Sequence, residues 1–140
     1  MQPLNYHSDV LPELDALCDD DVDAYITLMN FFDLIESDNT FRARLHQTGT
    51  RYDSCPLFEV KLFESLLKTG RQVRLIRLHS EQDGALLKYR TSFGSDMTID
   101  AHTILLISER NALYDEHSPE HSKVASRYDD CRLPIVHTQH

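Results

Sequence analysis

The feature that most constrains this chain is a change of hydrophobic period along its length. In CDDDVDAYITLMNFFDLIESD, residues 18–38, Val22, Tyr25, Ile26, Met29, Phe32 and Ile35 recur at spacings of three and four. That spacing gathers apolar side chains on one side of a helix. From residue 71 the period is two. RQVRLIRLH (71–79), LLKYRTSF (86–93) and TILLISER (103–110) read as three strands. Asp83-Gly84 separates the first two, and Gly94-Ser95-Asp96 follows the second, so an antiparallel meander is predicted.

Local signals set the remaining elements. The Asp19–Asp21 run offers an N-cap and first-turn acids to the helix that follows. Ser37 and Asp38 offer a second cap, and NTFRARLHQ (39–47) continues as another helix ended by Gly49. In PLFEVKLFESLLKTG (56–70), Pro56 suits a first helical position and Gly70 a stop, but FEVKLF also permits a strand at 57–62. SPEHSKVASRYDD (118–130) reads as a helix with Ser118 as cap and Pro119 at the first position. RLPIV (132–136) reads as a short edge strand. All four glycines, at 49, 70, 84 and 94, fall at expected element ends.

The expected fold is therefore α+β: an antiparallel sheet of three to four strands packed against two N-terminal helices, with a short C-terminal helix. The 140 residues suit one domain. Its expected parts are an N-terminal arm (1–19), the core (20–130) and a tail (131–140). Tyr25, Met29, Phe32, Val73, Leu75, Leu87, Tyr89, Ile104 and Leu106 are the expected core.

Charge is unevenly distributed. Residues 1–41 carry ten acids and no Lys or Arg, residues 42–90 carry ten bases against five acids, and the whole chain stands at −9. Such asymmetry fits either an anion-binding surface or an acidic helix paired with a basic sheet. Opposite charges on the helix near 20–36 and on the basic strands predict that this helix lies close to them.

Cys18, Cys55 and Cys131 are far apart and odd in number, which points to reduced thiols and a cytoplasmic protein. The first residues have neither the basic nor the apolar region of a signal peptide, and no apolar run is long enough to span a membrane. P-loop, GxSxG and GxGxxG signatures are missing, so NTPase, serine hydrolase and dinucleotide chemistries have no support. DDDVD lacks the glycine and distal Glu of a calcium loop. His117 and His121 have the i, i+4 spacing of zinc helices, but Pro119 lies between them. No metal and no cofactor are expected.

The order helix, helix, basic β-meander, helix resembles the RelE/ParE toxin superfamily. VRLIRLHSEQDGALLKYRTSF is similar to that superfamily's hairpin, where one strand ends near an Arg and the next holds a "YR" pair. TILLISERNALYDEHSPEHSKVASRYDD is similar to its ending, and the helical pair precedes both. The resemblance covers roughly residues 20–130. It implies an RNA-directed domain that cleaves messenger RNA without a metal, the ribose 2′-hydroxyl attacking the adjacent phosphate, or a decayed, non-catalytic form of one. It implies Arg90 as the strand Arg, Arg77 as the basic residue of the preceding strand, Arg110 near the lysines that usually follow the last strand, and Tyr114 as a late aromatic. The chain departs from the pattern in three ways. It is acidic where such toxins are usually basic, it reads Glu109-Arg110-Asn111 where a lysine pair is usual, and no opening strand is evident in residues 1–10.

Alternation places Lys88, Arg90 and Ser92 on one strand face and Leu87, Tyr89, Thr91 and Phe93 on the other. Phosphoryl transfer needs fixed cations at the phosphate oxygens, and Arg donates in a fork. The expected catalytic residues are Arg77 and Arg90, with His79 as acid–base on the same face as Arg77. Lys88, Arg74, Arg110 and Tyr114 are the expected substrate-binding residues. His102, ahead of the third strand, reads as a surface histidine. The expected partners are an antitoxin or other protein, RNA or the ribosome, and a second copy of the chain, with no membrane. The competing expectation is a non-catalytic partner-binding protein of phage or mobile-element type, contacting its partner through the acidic N-terminal helix.

Overall fold

The computed structural model describes residues 2–52 and 57–136. Its elements run β1 (Asn5–Tyr6), α1 (Val10–Asp20), α2 (Val22–Ser37), α3 (Asn39–Ala43), a 3-10 turn (Arg44–His46), β2 (Arg51–Tyr52), β3 (Phe58–Leu62), α4 (Glu64–Leu67), β4 (Val73–Leu78), β5 (Tyr89–Asp96), β6 (Ala101–Glu109), α5 (Arg110–Tyr114) and α6 (Pro119–Asp130). The six strands form one sheet in the order β1-β6-β5-β4-β3-β2. β1 runs parallel to β6, and every other pairing is antiparallel.

The α+β class and the mainly antiparallel meander agree with the sequence reading, but the sheet is larger and mixed. FEVKL forms β3 rather than a helix, and only Glu64–Leu67 turn helical after it. Two-residue strands at each edge complete the six. They are too short for a periodicity signal. Pro56 and Cys55 lie outside the described residues. The segment expected as an arm carries β1 and α1.

Local chemistry explains the helix breaks. Asp21, at φ −151°, separates α1 from α2, and its carboxylate accepts the Ala24 amide at 3.2 Å. Asp38 caps α3 in the same way through Phe41, and Ser118 caps α6 through His121. In α2 the buried arc centres on Leu28, Phe31, Phe32 and Ile35, while Val22 and Ile26 sit exposed at its rim. The larger apolar surface of the two adjacent phenylalanines takes the core side.

The sheet has a core on each face. On the first, α1, α2 and α3 pack Val10, Leu14, Phe31, Phe32 and Phe41 against Phe58, Ile76, Phe93 and Ile104. On the second, α4, α5 and α6 pack Leu66, Leu113, Val124 and Tyr128 against Val73, Leu75, Leu105 and Leu106. β5 and β6 slip register between Ser92 and Phe93, which lie opposite Leu106 and Ile104. The slip places Leu105 and Leu106 together in the second core.

The double covering corrects two expectations. The polar row of Arg90 and Ser92 is buried at 2% and 0% exposure, because the C-terminal helices roof it. Gly94 is not a turn. It lies within β5, and a Cβ there would meet Leu133 at 2.6 Å and Tyr128 at 2.9 Å. Its lack of a side chain lets α6 approach the sheet. Cys18 and Cys131 are free thiols. Among the described residues, no helix is long and apolar enough to cross a membrane.

Candidate functional site

The second face carries an arginine cluster. Register sets Leu75 opposite Ser92 and Ile76 opposite Thr91, so Arg77 and Arg90 occupy the next cross-strand position on the same face. Arg90 donates from Nη1 to the carbonyls of Leu87 at 2.7 Å and Tyr89 at 3.2 Å. Its Nε is buried with no hydrogen-bond partner. Among the described residues, no carboxylate pairs with it. Burial, and then the charge of Arg77, press its pKa below the ordinary value, with Arg110 adding to the repulsion. The Tyr114 phenol acts the other way. Thus Arg77, Arg90, Arg110 and Tyr114, scattered over β4, β5 and α5, converge at the β6–α5 corner.

The corner opens to solvent as a cleft of about 240 Å³ lined by Leu87, Lys88, Arg90, Glu109, Arg110 and Asn111. Its one carboxylate, Glu109, is engaged by Lys88 at 3.5 Å. Lys88 also sits over the Tyr89 ring, and Arg110 over the Tyr114 ring, at 5.2 and 5.1 Å. Arg77 faces its cross-strand neighbour Glu59 at 3.6 Å. An anion entering the cleft would meet a fixed guanidinium whose desolvation is already imposed by the fold.

Two expected site residues do not join the cluster. Register puts Arg74 on the opposite face with Ile76 and Leu78, near His46. Burial lowers its pKa, and its Nε is unpartnered. His79 lies beyond β4 in an isolated bridge to Leu86, its Nδ1 donating to the Gly84 carbonyl at 3.0 Å. That bond fixes the β4–β5 turn.

The expected closeness of the acidic helix and the basic strands is only partial. α2 covers the face opposite Arg77 and Arg90. Its first residues, Asp21 and Asp23, share a surface cleft with Lys88 at the end of the sheet.

Two further polar clusters escaped the sequence reading. At the β6 edge, beyond the two residues that β1 covers, Glu13 of α1 accepts the Ile107 amide at 3.3 Å. Arg127 of α6 donates to the Leu105 carbonyl at 2.9 Å and pairs with Glu13 at 2.7 Å. This ion pair finishes the sheet edge that β1 leaves open.

The other cluster lies at the far end of β5 and β6. His102 is fully buried rather than at the surface, because it lies on the same face as Ile104. Ser95 sits 2.6 Å from its Nδ1, and burial with the Arg42 charge pushes it down to about 4. Asp100 and His46 complete the group. Period-two alternation from Ile104 back to His102 was the available signal. Nothing in the spacing announced the other two.

No family model, no curated protein and no solved structure matches the chain.

Proposed function

We propose that the protein is an RNA-directed domain of RelE/ParE type that receives a backbone phosphate at the Arg90 corner. One observation carries the reading: Arg90 is buried with no carboxylate partner among the described residues and faces two more arginines. A buried cation left uncompensated costs stability, and an external anion removes that cost. The element order also supports the reading. Strand β1 and helices α1 to α3 precede the meander, and helices α5 and α6 follow it.

In this proposal Arg90 and Arg77 hold the phosphate oxygens. Arg110 and Lys88 attract the neighbouring backbone from the open side, and Tyr114 offers a base a stacking surface. The reaction, where it occurs, needs only the RNA's own 2′-hydroxyl as nucleophile. The protein supplies cations for the charge that develops on the phosphate. His79 serves at most through its second nitrogen, since Nδ1 is committed to Gly84.

Two measurements test the proposal. A labelled short RNA should bind in a salt-dependent way and lose most of its affinity in Arg90→Met. Induced expression should arrest growth, and the same substitution should relieve the arrest. RNA binding without growth arrest identifies the decayed form. Equal binding by both proteins defeats the proposal.

A second reading rests on a different surface. Leu11 (57% exposed), Val22 (52%) and Ile26 (40%) stand on α1 and α2 among exposed acids such as Asp15, Asp19 and Asp23. Exposed apolar side chains interspersed with acids suit a basic protein partner. This contact would survive Arg90→Met and fail in Val22→Asp.

A further inference from the structure

The cluster at the β5–β6 turn lies on the first face, away from the arginine corner. Residues 90 and 95 of β5 are separated by about 17 Å of strand at roughly 3.3 Å per residue. Three side chains converge there from distant parts of the chain. His46 comes from the 3-10 turn after α3, His102 from the start of β6, and Asp100 from the turn between β5 and β6. Their nearest ligand-capable atoms all lie within 4.8 Å of one another. Asp100 Oδ1 is 3.5 Å from His102 Nε2 and 3.9 Å from His46 Nε2. The two imidazole rings stand 4.8 Å apart between centroids.

We propose that His46, Asp100 and His102 form a binding site for a divalent transition metal of the zinc type. Two imidazoles and one carboxylate are a borderline-soft donor set suited to zinc, with a fourth position left for water. A tetrahedral ion with bonds of about 2.0–2.1 Å holds its donors about 3.3 Å apart. The His102–Asp100 separation is already close to that value. His46, partly exposed on a short turn, needs to swing by about an ångström to close the set.

Five features of the chain favour this over a chance cluster. His102 is fully buried, yet its Nε2 has no hydrogen-bond partner and points at Asp100. Its other nitrogen, Nδ1, is 2.6 Å from Ser95 Oγ. With Nδ1–H donating to that hydroxyl, Nε2 carries the free lone pair, the arrangement that orients metal-bound histidines. Asp100 is held at φ +49°, a region non-glycine residues seldom adopt, with its carboxylate against both histidines. Arg42 fixes it there by donating to the Asp100 carbonyl at 2.7 Å and lying 3.7 Å from Oδ2, which leaves Oδ1 to the imidazoles. Arg42 also opposes a dication, so the site should be one of moderate affinity. A surface pocket of about 220 Å³, lined in part by Asn39, Arg42, His46 and Asp100, gives the ion an entry path and room for its water.

Bound metal would clamp the turn after α3 to the β5–β6 hairpin, joining elements that carry no ligand-like spacing in sequence. The site is independent of the RNA proposal, and its test does not use RNA. Chelator-stripped protein is titrated with Co²⁺, followed by the visible bands of tetrahedral cobalt and by bound-metal stoichiometry, with zinc as competitor. One ion per chain, displaced by zinc, is expected. His46→Ala and Asp100→Asn should each weaken uptake by at least about 10-fold. Asn tolerates the left-handed backbone, so D100N removes the charge while keeping the turn. Circular dichroism confirms that both variants stay folded. His117→Ala should bind like the parent. Failure to take up one ion, or uptake unchanged in H46A and D100N, overturns the site.

Discussion

Two arginines lie under the same helical layer and have opposite surroundings. Arg127 finds everything it needs within the chain: the Glu13 carboxylate at 2.7 Å and the Leu105 carbonyl at 2.9 Å. Arg90 finds two carbonyls for one nitrogen, none for Nε, and the charges of Arg77 and Arg110 as neighbours. Burying a guanidinium is costly in both places. At Arg127 the chain offsets that cost, and the result is architecture: α1, β6 and α6 are tied together at a sheet edge. At Arg90 it does not, and in the proposed function an external anion offsets the cost. On the proposed function, the same residue type is a structural joint at Arg127, where its partner is built in, and a binding group at Arg90, where it is not.

The largest effect should come from breaking the compensated joint. Arg127→Ala leaves Glu13 unpaired and the Leu105 carbonyl unbonded, and should destabilise the protein by about 3 kcal/mol, the low end for a buried pair because Glu13 keeps some solvent contact. Urea unfolding measures it. Glu13→Gln, which preserves size and the bond from Ile107, should cost less. Equal losses would show that the charge of Glu13, not its shape, holds the joint.

A pH titration of metal-free stability sharpens the comparison from the other face. Burial holds His102 at about 4, below its ordinary 6.5, with Arg42, His46 and Asp100 as its charged neighbours. The unfolded chain therefore binds more protons between these values, and stability falls as pH drops from about 6.5 to about 4. The window corresponds to roughly 3 kcal/mol at most. His102→Gln should flatten the profile there, and an unchanged slope would reassign it to carboxylates.

Gly94→Ala tests the closeness of the layer that roofs Arg90. The added Cβ would meet Tyr128 and Leu133 inside van der Waals range, so a loss of about 1–3 kcal/mol is expected. A neutral result would mean that α6 can lift from the sheet, and Arg90 would then be less enclosed.

Much of this architecture was legible from local chemistry. The α6 start at Ser118-Pro119 and the caps at Asp21 and Asp38 need only neighbours in sequence, and the structure has them. VRLIRL and TILLIS also held a signal that the expected one-faced sheet ignored. Adjacent Leu75 and Ile76, and the run Ile104 to Ile107, cannot all face one core, which is the pattern of strands covered on both sides. Alternation put Lys88, Arg90 and Ser92 on one face, and Arg77, Arg110 and Tyr114 came from the resemblance, while the cross-strand register of Arg77 with Arg90 is visible only in the folded sheet. Arg74 lies on the other face, because one residue of strand reverses the side. Glu13 with Arg127, and His46 with Asp100 and His102, were illegible, since only the folded topology brings such distant residues together. Gly94 misled because a glycine after a strand pattern reads as a turn, whereas here it makes room for Tyr128.

The most direct measurement is urea unfolding of the parent and Arg90→Met, with and without inorganic phosphate at constant ionic strength. Without phosphate, the variant should be at least as stable as the parent, because an uncompensated buried charge has been replaced by an apolar chain of similar length. Phosphate should stabilise the parent in proportion to its binding and leave the variant unchanged. A variant less stable by about 2 kcal/mol or more, or equal stabilisation of both proteins by phosphate, would contradict the account and make Arg90 a structural residue like Arg127.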